Sequence, residues 1–173
     1  MSPFRTAVLT ISDRITAGIG EDGSGPAAAA TLEAWGFEVV HRDLVADEAT
    51  EISARLRAFA DEARLDLVLT SGGTGLAPRD VTPEATRAVL DREVPGVAEM
   101  LRRETARFTP FAALSRGLAG IRGKTLIINL PGSPKGVREY LELLRPILPH
   151  AMKLAGGGDP SHEPDAAGGK AGK

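Results

Sequence analysis

The stretch DLVLTSGGTGLAPRD, Asp66 to Asp80, decides how this sequence folds. Leu67 to Ser71 form a short β-prone run, and Gly72, Gly73 and Gly75 follow at once, then Pro78, Arg79 and Asp80. An apolar run of this length closed by turn residues reads as a buried strand. Glycines just past it permit positive φ and let backbone N–H groups approach a ligand without interference from a Cβ. With a helix start nearby, such a loop cradles phosphate oxygens. It is not a Walker loop, because no GK[ST] follows, and it misses GxGxxG because Pro78 stands where the third glycine belongs. A tight turn with nothing bound is the competing reading of the four-residue string alone.

Outward from this stretch, strands and helices alternate. RTAVLTIS (Arg5 to Ser12) reads as a strand covered on both faces, and the glycine-rich SDRITAGIGEDGSG as the loop after it. PAAAATLEAWG is a helix with Pro26 in its first turn and Gly36 past its end. FEVVHRDLV is a second strand, and DEATEISARLRAFADEA an amphipathic helix with Ile52, Leu56 and Phe59 on one face. After the glycine loop, TPEATRAVLDR starts a helix with Thr82 as N-cap and Pro83 at the first position. VPGVAEMLRRETARF is a further helix, TPFAALSRGLAGIRG a turn with one edge strand, and KTLIINL a strong buried strand. A loop, PGSPKG, leads into a long helix that Pro146 and Pro149 bend or interrupt. Residues 1–155 form one domain on this reading, and 156–173, rich in Gly, Pro and Ala and without apolar periodicity, a disordered tail.

The pattern is that of an α/β domain with a mostly parallel sheet. Right-handed crossovers place every post-strand loop at one sheet edge, where such folds bind ligands at a switch in strand order. Composition narrows the chemistry. At 173 residues and 42% apolar content the chain can bury a full core, and its formal net charge of −2 gives no reason to expect nucleic acid or a membrane as partner. With no cysteine, disulfides, thiolate zinc sites and a thiol nucleophile are excluded. No signal-peptide pattern opens the sequence and no apolar run approaches the roughly 18 residues of a membrane span, so the expectation is a cytoplasmic protein. His41, His150 and His162 have no metal-ligand spacing, and no GxSxG elbow surrounds any serine.

Two loops remain that favour anions. Besides the glycine loop, NLPGSPKG offers Ser133 and Pro134 as a cap and first-turn pair with Lys135 at the helix mouth. Three carboxylates fall on the same edge: Asp13, Asp47 and Asp80. Each alone reads as a cap or a surface charge, and Asp47 could cap a helix starting at Glu48. Together, beside phosphate cradles, they call for a cation, and hard oxygen ligands of this kind suit Mg²⁺ carried in with a nucleotide.

Taken in order, LTISDRITAGIGEDGSGP, the VADE loop, SGGTGLAPRDVTPEAT and LSRGLAGIRGKTLIINLPGSPKGVREYLELLRPILPHAMKL strongly resemble the molybdopterin adenylyltransferases, the MoaB/Mog-type family of molybdenum cofactor biosynthesis. The resemblance runs from about Phe4 to Leu154. It implies a three-layer αβα sandwich, a homotrimer, and transfer of AMP from Mg–ATP to the terminal phosphate of molybdopterin with release of pyrophosphate. A phosphate nucleophile is already ionised near neutral pH, so no His or Cys base is needed; positioning and charge stabilisation carry the reaction. By motif, Asp47 and Asp80 match the family's catalytic, Mg²⁺-binding pair. Ser71, Gly72, Gly73, Thr74 and Gly75 match its phosphate loop, and Ser12 and Asp13 the SD after the first strand. Asn129, Pro131, Gly132, Ser133 and Lys135 match the second loop, Ser115 and Arg116 the SR on the pterin side, and Glu99 an acidic position of unassigned role. Ala46 stands where family members often carry proline. The resemblance also implies hand-over of product to a molybdenum insertase. Two other readings share the signature: a molybdopterin carrier without catalysis, and a nucleotide pyrophosphatase that needs no pterin.

Overall fold

A computed structural model describes residues 3–158. Six strands form one sheet in the order β2-β1-β3-β6-β5-β4, where β1 is Arg5–Ile11, β2 Glu38–Val45, β3 Leu67–Ser71, β4 Arg92–Glu93, β5 Ala119–Arg122 and β6 Thr125–Leu130. The pairings among β2, β1, β3 and β6 are parallel; β5 and β4 extend the sheet antiparallel. The mostly parallel α/β sheet expected from the sequence is therefore present, with a short outer strand at Arg92–Glu93 that the apolar pattern did not mark.

Register explains the layers. Val8, Leu69 and Ile128 align across the three central strands and face one core with Ala28 and Leu32 of α2 (Ser24–Ala34), Leu101 of α5 (Pro95–Thr105) and Val137 and Leu141 of α6 (Pro134–Leu144). Their neighbours Ala7, Val68 and Ile127 align on the opposite face, against Ile52 and Leu56 of α3 (Ala49–Arg57) and Ala85 of α4 (Thr82–Arg87). Two cores on one sheet make the αβα sandwich. The chain passes from β1 to β2 in one direction and back across β1 to β3 in the other, so right-handed crossovers must send α2 and α3 to opposite faces. That reversal opens a crevice between the carboxyl ends of β1 and β3.

Several local expectations shift. The loop after β1 begins with a helical turn, α1 (Asp13–Thr16), capped by Ser12, whose Oγ accepts from Ile15 N at 3.3 Å. The helix expected over residues 47–63 changes to a wider π turn over Ala58–Glu62. Thr82 is not an N-cap; it lies inside α4, fully buried, and donates its hydroxyl to Gly72 O at 2.9 Å. Ser133 does cap α6, accepting from Gly136 N at 3.1 Å, and the Pro146 region separates α6 from α7 (Leu148–Ala155). Gly157 N and Gly158 N close α7 by donating to Leu154 O (3.1 Å) and Lys153 O (2.8 Å), while residues 159–173 of the expected tail lie outside the described residues. No described helix is long and apolar enough to cross a membrane.

Candidate active site

The crevice between β1 and β3 is a cleft of about 290 Å³ bordered by Ser12, Asp13 and Arg14 from the first strand's loop, Asp47 from the second, Ser71, Gly72, Gly73 and Asp80 from the third, and Gly132 after β6. Four separate loops of the sequence meet there because four parallel strands end on the same edge. The glycines are needed for geometry. Gly72 has φ +105 and Gly73 φ +63, in the left-handed region. A Cβ on Gly72 would run into Ile11 O, and one on Gly73 would stand 2.8 Å from Asp47 Oδ1. Among the described residues, the N–H groups of Gly73, Thr74 and Gly75 donate to no atom of the chain, whereas Gly72 N donates to Leu130 O at 3.2 Å. Three successive unengaged amides in a concave glycine turn form an anion cradle.

The three carboxylates are not equivalent. Asp13 N donates to Asp47 Oδ2 at 2.8 Å, and Asp47 N returns a bond to Asp13 Oδ1 at 3.0 Å, so the two loops lock each other. Asp47 thus ties loops together and does not cap the helix after it, where no side-chain cap bond forms. Arg79 grips Asp13 twice, Nε to Oδ2 at 2.9 Å and Nη2 to Oδ1 at 3.1 Å, and reaches Glu48 Oε1 at 2.7 Å. The Arg79 guanidinium, then the Asp47 N–H, hold the Asp13 carboxyl below the usual carboxylate range. Asp47 moves the other way: burial, with the charges of Asp13 and Asp80 adding to it, raises its carboxyl despite the hydrogen bond from Asp13. Asp80 accepts from Ala77 N at 2.8 Å, and its Oδ2 also lies 2.8 Å from where a Cβ on Gly75 would be.

Among the described residues no group of three His, Cys, Asp or Glu could hold a metal ion; Asp47 and Asp80, the pair the resemblance assigns to Mg²⁺, both border the cleft, as does Asp13. That pair still fits Mg²⁺, which retains waters and is typically bound by one or two carboxylates plus the phosphates of its nucleotide.

The second loop is split. Gly132 borders the glycine cleft, but Pro131, Ser133 and Lys135 border a separate groove of about 360 Å³ with Ser115, Phe108, Phe111 and Tyr140. Lys135 is exposed there and lies 3.8 Å from Glu139. Asn129, expected among the ligand contacts, is only 2% exposed. Its amide donates to Thr70 Oγ1 (2.9 Å) and Thr86 Oγ1 (3.0 Å) and accepts from Leu118 N (3.2 Å), so both of its polar atoms are engaged inside the protein. Ser71 Oγ likewise donates to Pro131 O at 2.9 Å, joining the two loops. Arg116 does not extend toward the groove. It donates to Gly75 O at 2.7 Å, Asp80 O at 2.5 Å and the Glu84 carboxylate, while its own backbone N–H donates to Thr74 O at 2.9 Å. It clamps the glycine loop. Glu99 is exposed on α5, away from both clefts' linings.

A family model described as "Probable molybdopterin binding domain" matches residues 7–150, which span all of these loops. This chain belongs to that family. A molybdopterin adenylyltransferase of Helicobacter pylori (strain J99) is 44% identical over 156 residues, 89% of each chain, and one of Escherichia coli (strain K12) is 45% identical over 149 residues, 82% of this chain and 74% of that one. The crystal structure of the molybdopterin biosynthesis enzyme MoaB from Thermus thermophilus matches with a TM-score of 0.85 and 56% identity, over 89% of this chain and 97% of that one. Within this molybdopterin-binding domain the sequence reading missed Thr82, Arg14 and Asp22. Thr82 supports the glycine turn from below through Gly72 O, and its N–H donates to Gly73 O at 3.1 Å. Arg14 borders the cleft and forms no ion pair among the described residues. Asp22 accepts from Thr10 Oγ1 (2.6 Å), Ser24 N (3.0 Å) and Gly25 N (3.0 Å), and so anchors the start of α2. The readable signal for Asp22 was an acidic residue just ahead of a Ser-Gly-Pro helix start.

Proposed function

We propose that this chain is a molybdopterin adenylyltransferase of molybdenum cofactor biosynthesis. The terminal phosphate oxygen of molybdopterin attacks the α-phosphorus of ATP, a P–O bond forms there, and the bond to the β-phosphate oxygen breaks. Adenylylated molybdopterin and pyrophosphate leave. The observation that carries the reading is the cleft itself: at the β1–β3 switch point the left-handed glycine turn, with the unengaged Gly73 amide, borders it together with the Asp47 and Asp80 carboxylates. The relatives named for this activity, at 44–45% identity over most of the chain, support it.

In this reading the amides receive phosphate oxygens, and Arg14 offsets their charge. Asp47 and Asp80 would hold Mg²⁺, which when bound neutralises charge developing on the transferring and leaving phosphates. The groove lined by Phe108, Phe111 and Tyr140 suits a flat ring, and the proposal places the pterin there, beside Ser115. Arg116 acts on the reaction by fixing the loop, and Ser71 and Asn129 by supporting it. Product release to an insertase, cytoplasmic location and assembly as a trimer belong to the same proposal; light scattering checks the trimer.

The test is Asp80→Asn. It removes the charge while leaving the amides and the groove, so molybdopterin binding should persist within about twofold, and adenylyl transfer should fall by about a hundredfold or more. Undiminished turnover would overturn the assignment of Asp80. A wild-type protein that binds molybdopterin and never releases pyrophosphate would be a carrier.

A further inference from the structure

The two carboxylates assigned to the metal sit on different loops, and one side chain connects those loops. Arg79 directly precedes Asp80 in the sequence. Its guanidinium spans the cleft's rim to Asp13 and to Glu48, the residue next to Asp47. Asp13 in turn exchanges two backbone-to-carboxylate bonds with Asp47. A continuous path of hydrogen bonds and covalent bonds therefore runs from Asp80 through Arg79 and Asp13 to Asp47.

The energetics argue that this path is not mainly for the fold. The Arg79, Asp13 and Glu48 side chains are 56%, 42% and 49% exposed, and ion pairs so open to water contribute little to stability. Charge argues the same way. Asp13, Asp47 and Asp80 border a cleft that must admit a polyphosphate, Glu48 follows Asp47 in the chain, and Arg79 offsets two of these four. Arg14, which borders the cleft, pairs with none of them among the described residues.

We infer that Arg79 is a positioning residue for nucleotide binding: by holding Asp13 and Glu48 it sets the Asp47 loop relative to Asp80, so that both carboxylates can serve one Mg²⁺–polyphosphate. This rests on the adenylyl-transfer reading. The guanidinium is needed for its shape, since a planar fork can hold a carboxylate with two bonds and still reach a second one, which an ammonium cannot do in fixed geometry.

The experiment is calorimetric titration with α,β-methylene ATP, with and without Mg²⁺, on wild type, Arg79→Ala and Arg79→Lys, together with molybdopterin binding and thermal unfolding. In wild type, Mg²⁺ strengthens binding of the analogue. In Arg79→Ala that enhancement should shrink about tenfold or more, the size of effect seen when supports of metal ligands are removed. Molybdopterin affinity and thermal unfolding should stay near wild type. Arg79→Lys, which keeps the charge but not the planar fork, should recover little of that Mg²⁺ enhancement and leave kcat low. An Arg79→Ala protein with the wild-type Mg²⁺ enhancement overturns the inference, as does an Arg79→Lys protein with wild-type kcat, which would reduce Arg79 to a plain charge. Should Arg79→Ala unfold, Arg79→Lys alone decides between these outcomes. If Mg²⁺ fails to strengthen binding to wild type itself, the adenylyl-transfer reading falls and this inference with it, so the two failures are distinguishable.

Discussion

Asp47 is held in a position that works against the fold. Burial and its two acidic neighbours raise its carboxyl, so the folded protein binds that proton more readily than the unfolded chain does. Ionised Asp47 therefore lowers stability above its raised value, and the penalty disappears as the pH falls through it. Asp47→Asn keeps an acceptor for Asp13 N and removes the charge. Its melting temperature at pH 7 should exceed that of wild type, with the two converging on acidification, while Mg²⁺-dependent activity is lost. A variant less stable than wild type at neutral pH would contradict this. Asp13 has the opposite sign and, open to water, a small effect: its contacts with Arg79 and Asp47 favour the fold slightly above the ordinary carboxylate range and lose that as pH falls through its depressed value. Residue type and loop position alone do not separate Asp13 from Asp47 and Asp80, because position along a chain does not reveal partners; only the family resemblance set the pair apart. Arg79 lies 66 residues from Asp13, and only the fold brings them together. Asn129, expected in the second loop's ligand contacts from the resemblance, has its amide held inside the protein by Thr70 and Thr86, partners that the sequence does not show.

The glycine turn is the element on which the cleft depends, and it was the most legible part of the sequence. Backbone freedom is written directly into residue type, so Gly72 and Gly73 could be read as a turn needing positive φ, and they are one. What could not be read was its support from Thr82 below and Arg116 above, each supplied from outside the loop. Gly72→Ala tests the element. A Cβ there meets the Ile11 carbonyl, backbone that cannot swing aside, and the residue also sits at φ +105. The substitution should cost about 2–4 kcal/mol, lowering the melting temperature by roughly 5–15 °C. A melting temperature within a degree of wild type would show that the turn is looser than described. Elsewhere, strands with strong apolar runs were legible, whereas the two-residue β4 and the π turn at Ala58–Glu62 leave no periodic trace in so few positions.

At the scale of the whole molecule, the fold follows from one alternation. Successive residues of β1, β3 and β6 serve opposite cores, helices cover both faces, and the four parallel strands end together on one edge. The sequence made that edge legible through strand and helix order, but not the recesses along it. The structure separates the glycine cleft from the aromatic groove, with the Pro131–Ser133 loop between them. Two adjacent recesses suit a reaction that joins two substrates, and that is the central claim. The measurement that tests it most directly is pyrophosphate release from ATP and Mg²⁺ by the purified chain, with and without molybdopterin. Release should depend on molybdopterin and match the adenylylated pterin formed. Equal release without the pterin, or none with it, would contradict the claim.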